Sequence, residues 1–308
     1  MNKLLKVASS PHKFTKDNTQ GIMLDVILAL LPIGVLAVVM YGLSSAVLIA
    51  VTVATCVFCE YAWCRILKKP NSTADLSAIV TGLLLAYSLP PDLPVWMAMI
   101  GGAVAIIVIK QMYGGIGHNF VNPAVCARIV LMVSFPQAMT TWRQPLSNVI
   151  TSATPLAPNI VEKPADISLF LGNYSGCIGE TSALLILIGG VYLVLRKVIN
   201  PIIPLSFIGS AFVLNFAITG NFNGSVLAIL SGAILLGAVF MATDYVTSPT
   251  GGIGKLIFGI GCGVITVLIR QFGNMPEGVS FAILIMNLLV PAIDRIPPRK
   301  AFGEKEGK

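Results

Sequence analysis

Few side chains in this sequence stand where they could do covalent chemistry, and the clearest is a hydroxyl. In Thr151-Ser152-Ala153-Thr154-Pro155-Leu156, small residues precede Thr154, and Pro155 keeps the backbone before it extended. A hydroxyl presented in this way can carry a large planar group without crowding. The residues alone say no more, because a Ser/Thr-rich stretch is also what an ordinary solvated loop looks like.

Two further stretches could bind rather than react. Gly114-Gly115-Ile116-Gly117-His118-Asn119-Phe120-Val121-Asn122-Pro123 combines glycines, which allow close backbone approach, with two asparagines. Asn119 and Asn122 offer paired donors and acceptors of the kind a neutral heteroaromatic ring can use; helix capping in a tight turn is the plain alternative. Thr243-Asp244 ends an apolar run, where Asp244 is either a cap or a ligand contact. Gly251-Gly252-Ile253-Gly254 echoes a phosphate loop but lacks its Lys-Ser/Thr. Cys56 and Cys59 are three apart, yet no second pair is spaced to complete a cluster, so small apolar packing is the better reading. His12 and His118 are isolated, and no nucleophile–base set is visible.

The elements that position these residues follow from composition. The 308 residues are 56% hydrophobic and 11% charged, with a mean hydropathy of +0.86. Such a chain cannot cover a water-facing surface, for which about 25% charge is usual. A net charge of +7 in a soluble protein would raise nucleic acid as a partner. Here the bases flank apolar runs and no basic stripe with interleaved aromatics exists, so nucleic acid is set aside and the charges read as topology signals. No cleavable signal peptide is expected; the first apolar run serves as an uncleaved insertion signal.

A spanning helix needs roughly 20 apolar residues. Ten runs qualify or nearly do: 22–40, 44–66, 76–90, 94–112, 122–136, 180–196, 202–219, 224–242, 253–271 and 279–294. Ser72 and Asp75 are placed to cap the third. The four lysines of the tail, Arg65, Lys68, Lys69, Lys110, Arg196, Lys197 and the C-terminal bases then fall on one side, with Arg270 the exception. The expected fold is an all-α membrane protein with about ten transmembrane helices in two inverted five-helix repeats. The divisions are a cytoplasmic tail (1–20), a first repeat (21–136), an extracytoplasmic loop (137–179), a second repeat (180–294) and a cytoplasmic C-terminal tail (295–308). The repeat rests on Gly101–Gln111 matching Gly261–Gln271, and on Leu76–Gly82 matching Leu227–Gly232. An odd number of spans inverts the second copy, the plan of transporters with a site between repeats. Asp25, Glu60, Arg128 and Glu180 lie at or within runs, where ionisable groups are costly, and are candidates for an ion path or subunit contacts.

Four motifs in order resemble one family over roughly residues 10–295. These are Thr151-x-Ala153-Thr154, the Gly114–Ala124 turn, Gly179-Glu180-Thr181-Ser182-Ala183, and Phe240–Pro249 with its Thr243-Asp244 turn. The family is that of the D subunit of the Rnf electron-transport complex and the B subunit of the sodium-pumping NADH:quinone oxidoreductase; the chain lacks the longer N-terminal region of the latter. The resemblance implies a multi-pass subunit of the prokaryotic plasma membrane, in an ion-translocating ferredoxin:NAD oxidoreductase that couples electron flow to Na⁺ or H⁺ export. It implies FMN joined through its phosphate to Thr154 by a flavin transferase, and a non-covalent riboflavin near Asn119 and Asn122, with Asp244 a candidate contact. Partners would be Rnf subunits of the A, B, C, E and G types, and membrane lipid. One position departs from the pattern: Asn148 stands six residues before the acceptor, where the transferase consensus has an acid. An amide keeps the hydrogen bonds but not the charge, which bears on the efficiency of modification. Two other readings stay open, a small-solute channel of urea-channel-like fold that works without flavin, and the quinone-reducing B subunit itself.

Overall fold

The computed structural model describes residues 18–69, 72–146, 150–151, 170, 172, 174–180, 182–273 and 278–296. Ser152, Ala153 and Thr154 lie outside the described residues, as does Asn148, and of Thr151 only the backbone is described.

The chain forms an all-α membrane protein. In order, its helices of eight residues or more among the described residues are α1 (Thr19–Tyr41), α2 (Leu43–Ile66), α3 (Ser77–Tyr87), α4 (Val95–Gln111), α5 (Pro123–Ser134), α6 (Ala183–Leu195), α7 (Ile202–Thr219), α8 (Phe222–Leu230), α9 (Ile234–Met241), α10 (Gly252–Phe272) and α11 (Val279–Ile293). Apolar helix is thus found at each of the ten expected positions. Four helices, α1, α2, α7 and α10, are long and apolar enough to cross a bilayer unaided. Of the rest, α3, α4, α5, α6 and α11 are apolar helices of 10–17 residues. The strands among the described residues are β1 (Trp142–Arg143) and β2 (Ile150–Thr151), an antiparallel pair that sets Trp142 opposite Thr151.

The first helix shows how sequence makes such an element. Asn18 accepts from the Gly21 amide at 2.8 Å and starts α1. Gly42, at φ 77°, lets the chain turn into α2. Between them Asp25, Ala29, Ile33 and Ala37 face inward, while Leu24, Leu28, Leu31, Val35 and Val39 are exposed. Both faces are apolar because one meets protein and the other meets lipid.

The helices of the second and fourth apolar runs of each half, α2 with α4 and α7 with α10, run parallel. Across α2 and α4, Gly102 lies against Thr55 and Cys56, and Gln111 reaches Glu60. Across α7 and α10, Gly259 lies against Ile203 and Ser206, Gly263 against Phe207 and Ser210, and Gln271 reaches Asn215. Glycine and hydroxyl side chains let backbones approach closely in an apolar medium. A Cβ at Gly263 would sit 2.6 Å from the Phe207 carbonyl and closer still to Ser210 Oγ. Gly263→Ala should therefore lose about 1–3 kcal/mol of stability despite the better helix propensity of alanine. Gly209 has open space around it, so Gly209→Ala should be neutral or gain up to about 1 kcal/mol. Thermal unfolding of the two variants in detergent checks the contrast.

Two expectations need correcting. The run 224–242 is not one straight span: α8 and α9 meet at an angle of 63°. Ser231 is extended and Gly232 takes φ 75°, so the hydrogen-bond ladder stops there. The freed carbonyls are satisfied from elsewhere. Arg270 donates to Ala228 at 2.6 Å and to Ser231 at 3.4 Å, and the Tyr174 hydroxyl donates to Leu230 at 3.4 Å. Such a break is tolerable only where protein supplies the partners, and it explains why Arg270 departs from the charge pattern. The second correction concerns Ser72, which does not cap α3. Asp75 alone accepts the Ser77 amide, at 3.0 Å, while Ser72 donates to Glu60 at 2.7 Å.

Candidate functional site

A cavity of about 380 Å³ opens between the two halves of the chain, within the size range of ligand pockets. Its walls come from the start of α1 (Thr19, Ile22, Met23, Val26), the start of α3, the end of α4 and the turn after it, the end of α6, and the turn after α9. Asn119, Asn122 and Asp244, far apart in sequence, all line it. The structure thus brings together the three described residues on which the ligand reading rested.

They do not do equivalent work. Asn122 is the N-cap of α5: its Oδ1 accepts from Ala124 and Val125 at 3.0 and 3.3 Å. Its Nδ2 donates to the Met241 carbonyl at 3.0 Å, tying the first half to the end of α9. With the Asn287 amide oriented by its neighbours, that side chain accepts from the Asn122 amide at 3.1 Å and donates to Thr247 at 3.0 Å. The side-chain groups of Asn122 are therefore taken up by the fold, the capping alternative that the sequence left open. Asn122→Ala should cost about 2–3 kcal/mol, roughly 1 for the cap and 1–2 for the unpartnered carbonyl. Asn122→Asp, which keeps the cap and loses the donor, should recover the first part only, as thermal melts in detergent would record.

Asn119 is the residue left over for chemistry. Its Oδ1 is buried with no hydrogen-bond partner and it belongs to the cavity wall. An orphan acceptor of this kind wants an N–H or O–H from whatever fills the space. A planar heteroaromatic imide, with an N–H between two carbonyls and an apolar ring behind it, fits the acceptor and the predominantly aliphatic walls. The glycines of the turn have positive φ, 121° at Gly114, 93° at Gly115 and 88° at Gly117, so the backbone wraps the mouth in a way other residues resist.

Asp244 is held by the Thr247 hydroxyl at 3.1 Å and by the amides of Tyr245 and Val246. Burial raises its carboxyl above the ordinary carboxylate range, and those three donors oppose the rise. It is both a turn cap and part of the wall.

Beneath the cavity lies a charged group that sequence reading placed only in part. Lys110 and Ser77 line the wall, and Lys110 Nζ donates to both oxygens of Glu60 at 2.9 and 3.0 Å and to Ser77 Oγ at 2.6 Å. Gln111 also donates to Glu60, at 2.9 Å. Two consecutive residues reach one carboxylate where Val104–Gln111 is wound as a π-helix, a form concentrated at functional positions. The clue in the sequence was the repeated Lys/Arg-Gln ending. Asp25 pairs with Arg196 at 3.1 Å and accepts from Tyr192 at 2.9 Å. Arg128 donates to Cys177 at 3.2 Å, and the Cys177 amide bonds Glu180 at 3.4 Å. Cys56 is buried, its Sγ 3.8 Å from the Gly102 carbonyl, in keeping with a packing role.

The Thr154 loop begins elsewhere. β2 brings Thr151 against Trp142, and Arg143 is fixed by Asp92 at 2.9 Å and by the Tyr41 carbonyl. Tyr41 is the last residue of α1, whereas Thr19, Ile22 and Met23 in the cavity wall belong to its first turns. The 23 residues of α1 span ~34 Å at 1.5 Å per residue, about the thickness of a bilayer core. The root of the loop and the cavity lie at opposite ends of that helix.

Comparison with known proteins adds an independent finding. Residues 6–303 match the model of the NQR2, RnfD, RnfE family. The chain is 42% identical to the D subunit of the Na(+)-translocating ferredoxin:NAD(+) oxidoreductase complex of Acetobacterium woodii, over 100% of both chains. It is 39% identical to the D subunit of the proton-translocating ferredoxin:NAD(+) oxidoreductase complex of Clostridium ljungdahlii, over 98% of this chain and 97% of that one. It is also 39% identical to the D subunit of the ion-translocating oxidoreductase complex of Stutzerimonas stutzeri, over 94% of this chain and 93% of that one.

Proposed function

The chain belongs to the NQR2, RnfD, RnfE family, and from that membership we propose that it is the D subunit of an ion-translocating ferredoxin:NAD(+) oxidoreductase complex in a prokaryotic membrane. The observation that carries this is full-length similarity to D subunits so named. Its partners are then the other subunits of that complex, together with a flavin transferase that modifies it. The solute-channel reading has no comparable support, since the names of these relatives describe oxidoreductase subunits.

Two flavins complete the reading, FMN esterified to Thr154 and a riboflavin in the cavity. Flavins supply the electron-carrying chemistry; the chain supplies position, orientation and electrostatics. Asn119 Oδ1 would accept from the ring imide, the Gly114–Gly117 turn would close over it, and Asp244 would border it. Thr154 would present the other flavin beyond the Tyr41 end of α1, because Thr151 is anchored there. Stations at the two ends of a membrane-spanning helix make electron flow across the bilayer part of the path, and charge movement can then be coupled to Na⁺ or H⁺ export. We read the halves as inverted copies, supported by the parallel pairs α2/α4 and α7/α10, each closed by a glutamine on a buried side-chain oxygen at 2.9 Å. Both termini are then cytoplasmic and the Thr154 loop extracytoplasmic.

Peptide mass spectrometry of the natively purified complex tests the reading. The peptide containing Thr154 should be heavier by one FMN less water. An unmodified peptide from cells with an active flavin transferase would overturn the covalent station.

A further inference from the structure

A second cavity, of about 440 Å³, adjoins the first and shares Val198, Ile199, Thr243 and Tyr245 with it. Its remaining polar wall is Lys197, Asn200, Ser248 and Lys255, with no carboxylate in the lining. Each carboxylate of the elements packed around it already has a donor, and of these Asp294 stands at the opening of α10. Asp25 pairs with Arg196, Asp244 accepts from Thr247, and Asp294 accepts from the Thr250 amide at 3.1 Å. Among the described residues no ion pair is formed by Lys197 or Lys255.

The backbone adds to the positive potential. Because α7 and α10 are parallel, their N-termini stand side by side, and Pro201 before α7 and Lys255 in the first turn of α10 both reach this cavity. The Asn200 side chain, in the cavity wall, accepts the Ile202 amide that opens α7 at 3.0 Å, whereas α10 has no side-chain cap at Gly251. At Gly252 an added Cβ would meet nothing within 4 Å, so the opening of α10 is approachable. Two helix N-termini and two ammonium groups converge on one space, an arrangement that favours a polyoxygen anion. Lys197 sits in the left-handed region, φ 58°, as the closing residue of α6, where Val198 N bonds Leu193 O at 2.9 Å. Its position is thus set by the end of a helix rather than by a floppy loop.

What borders the cavity identifies the anion's carrier. Leu195, Leu205 and Ile253, each two residues along the chain from a wall residue (Lys197, Ile203 and Lys255), are 76, 70 and 61% exposed, so bare aliphatic surface lies on the same helix ends as the cationic space. A ligand with a phosphate and long hydrocarbon chains satisfies both. We propose that the cavity between Lys197 and Lys255 holds the phosphate of an anionic phospholipid, its acyl chains lying along Leu195, Leu205 and Ile253. The site is separate from the flavin reading and does not depend on it.

Native mass spectrometry of the detergent-purified complex, delipidated and then offered phosphatidylglycerol or phosphatidylcholine, tests this. The wild type should retain phosphatidylglycerol in preference. The double variant Lys197→Asn, Lys255→Gln should weaken that retention roughly twenty-five-fold, about fivefold for each lysine. Asparagine is chosen because it tolerates the left-handed backbone. Lys197→Arg with Lys255→Arg should keep the lipid, and Lys68→Asn with Lys69→Gln, which removes an equal charge outside the cavity, should change nothing. Equal retention of both lipids, or undiminished phosphatidylglycerol on the double variant, overturns the site. Binding of glycerol phosphate to the lipid-free complex as tightly as phosphatidylglycerol would overturn the lipid as its source and leave a soluble phosphate ester.

Discussion

Thr154→Ala should abolish ferredoxin-dependent NAD⁺ reduction by the assembled complex while leaving the fold and the proposed cavity flavin in place. Thr154 follows a strand whose partner, Trp142, is buried near the Tyr41 end of α1, and the cavity lies at the other end of that helix. Thr151, three residues before Thr154, is anchored at the first place, so removing the Thr154 hydroxyl should leave Asn119 at the second undisturbed. The expected result is therefore asymmetric: no covalent flavin on the chain, an unchanged complement of non-covalent flavin released on denaturation, an unchanged melting temperature, and no overall electron transfer. A reaction that continued at wild-type rate without the ester would remove Thr154 from the electron path. Loss of both flavins together would mean that the two sites are not independent, against the geometry. Thr154→Ser restores the nucleophilic oxygen without the methyl group and should recover modification at least in part. Asn148→Asp, which returns an acid to the position six residues earlier, should raise the modified fraction if the transferase reads that charge.

Much of the fold was legible because it follows from the absence of charge. The boundaries of α1, α2, α7 and α10 fall within a few residues of the apolar runs, since a membrane helix must be apolar throughout and the chain can turn only where Gly42, Pro90-Pro91 or Asn221 permit. The break at Ser231-Gly232 was not legible. A serine and a glycine inside an apolar run are common in straight membrane helices, and only the long-range donors Arg270 and Tyr174 make a stop tolerable there. The site divides in the same way. The asparagine-bearing turn announced itself, but which asparagine is free does not follow from sequence. Asn122 precedes a proline that begins α5, a strong capping position, whereas Asn119 comes too early in the turn to cap that helix. The second cavity was hidden altogether, because Lys197 and Lys255 read as ordinary flanking charges until the parallel packing of α7 and α10 set them around one space.

Glu60→Ala should be among the most destabilising single substitutions in the chain, by about 3–5 kcal/mol, the usual result of stripping one partner from a buried ion pair. Glu60 and Lys110 are 0 and 1% exposed, and the carboxylate takes donors from Lys110, Ser72 and Gln111. Deleting it leaves a buried ammonium with only Ser77 to answer it, and the donors of Ser72 and Gln111 lose their acceptor as well. The second half of the chain shows what the same architecture looks like without the carboxylate: Gln271 meets Asn215 at 2.9 Å, Asn215 donates to Ser225 at 3.3 Å, and the matching cation, Arg270, is taken up by backbone carbonyls. A neutral amide is therefore sufficient to close a parallel helix pair. It follows that Glu60→Gln alone should remain destabilising, because Lys110 stays charged, whereas Glu60→Gln with Lys110→Met should recover most of the loss. A double-variant cycle on melting temperature in detergent separates these outcomes. If the double variant were as unstable as Glu60→Ala, the pair would be needed for structure in its own right. If it recovers stability while ion-coupled electron transfer fails, the charge is retained for function, at the floor of the cavity that Lys110 and Ser77 share with Asn119 and Asp244.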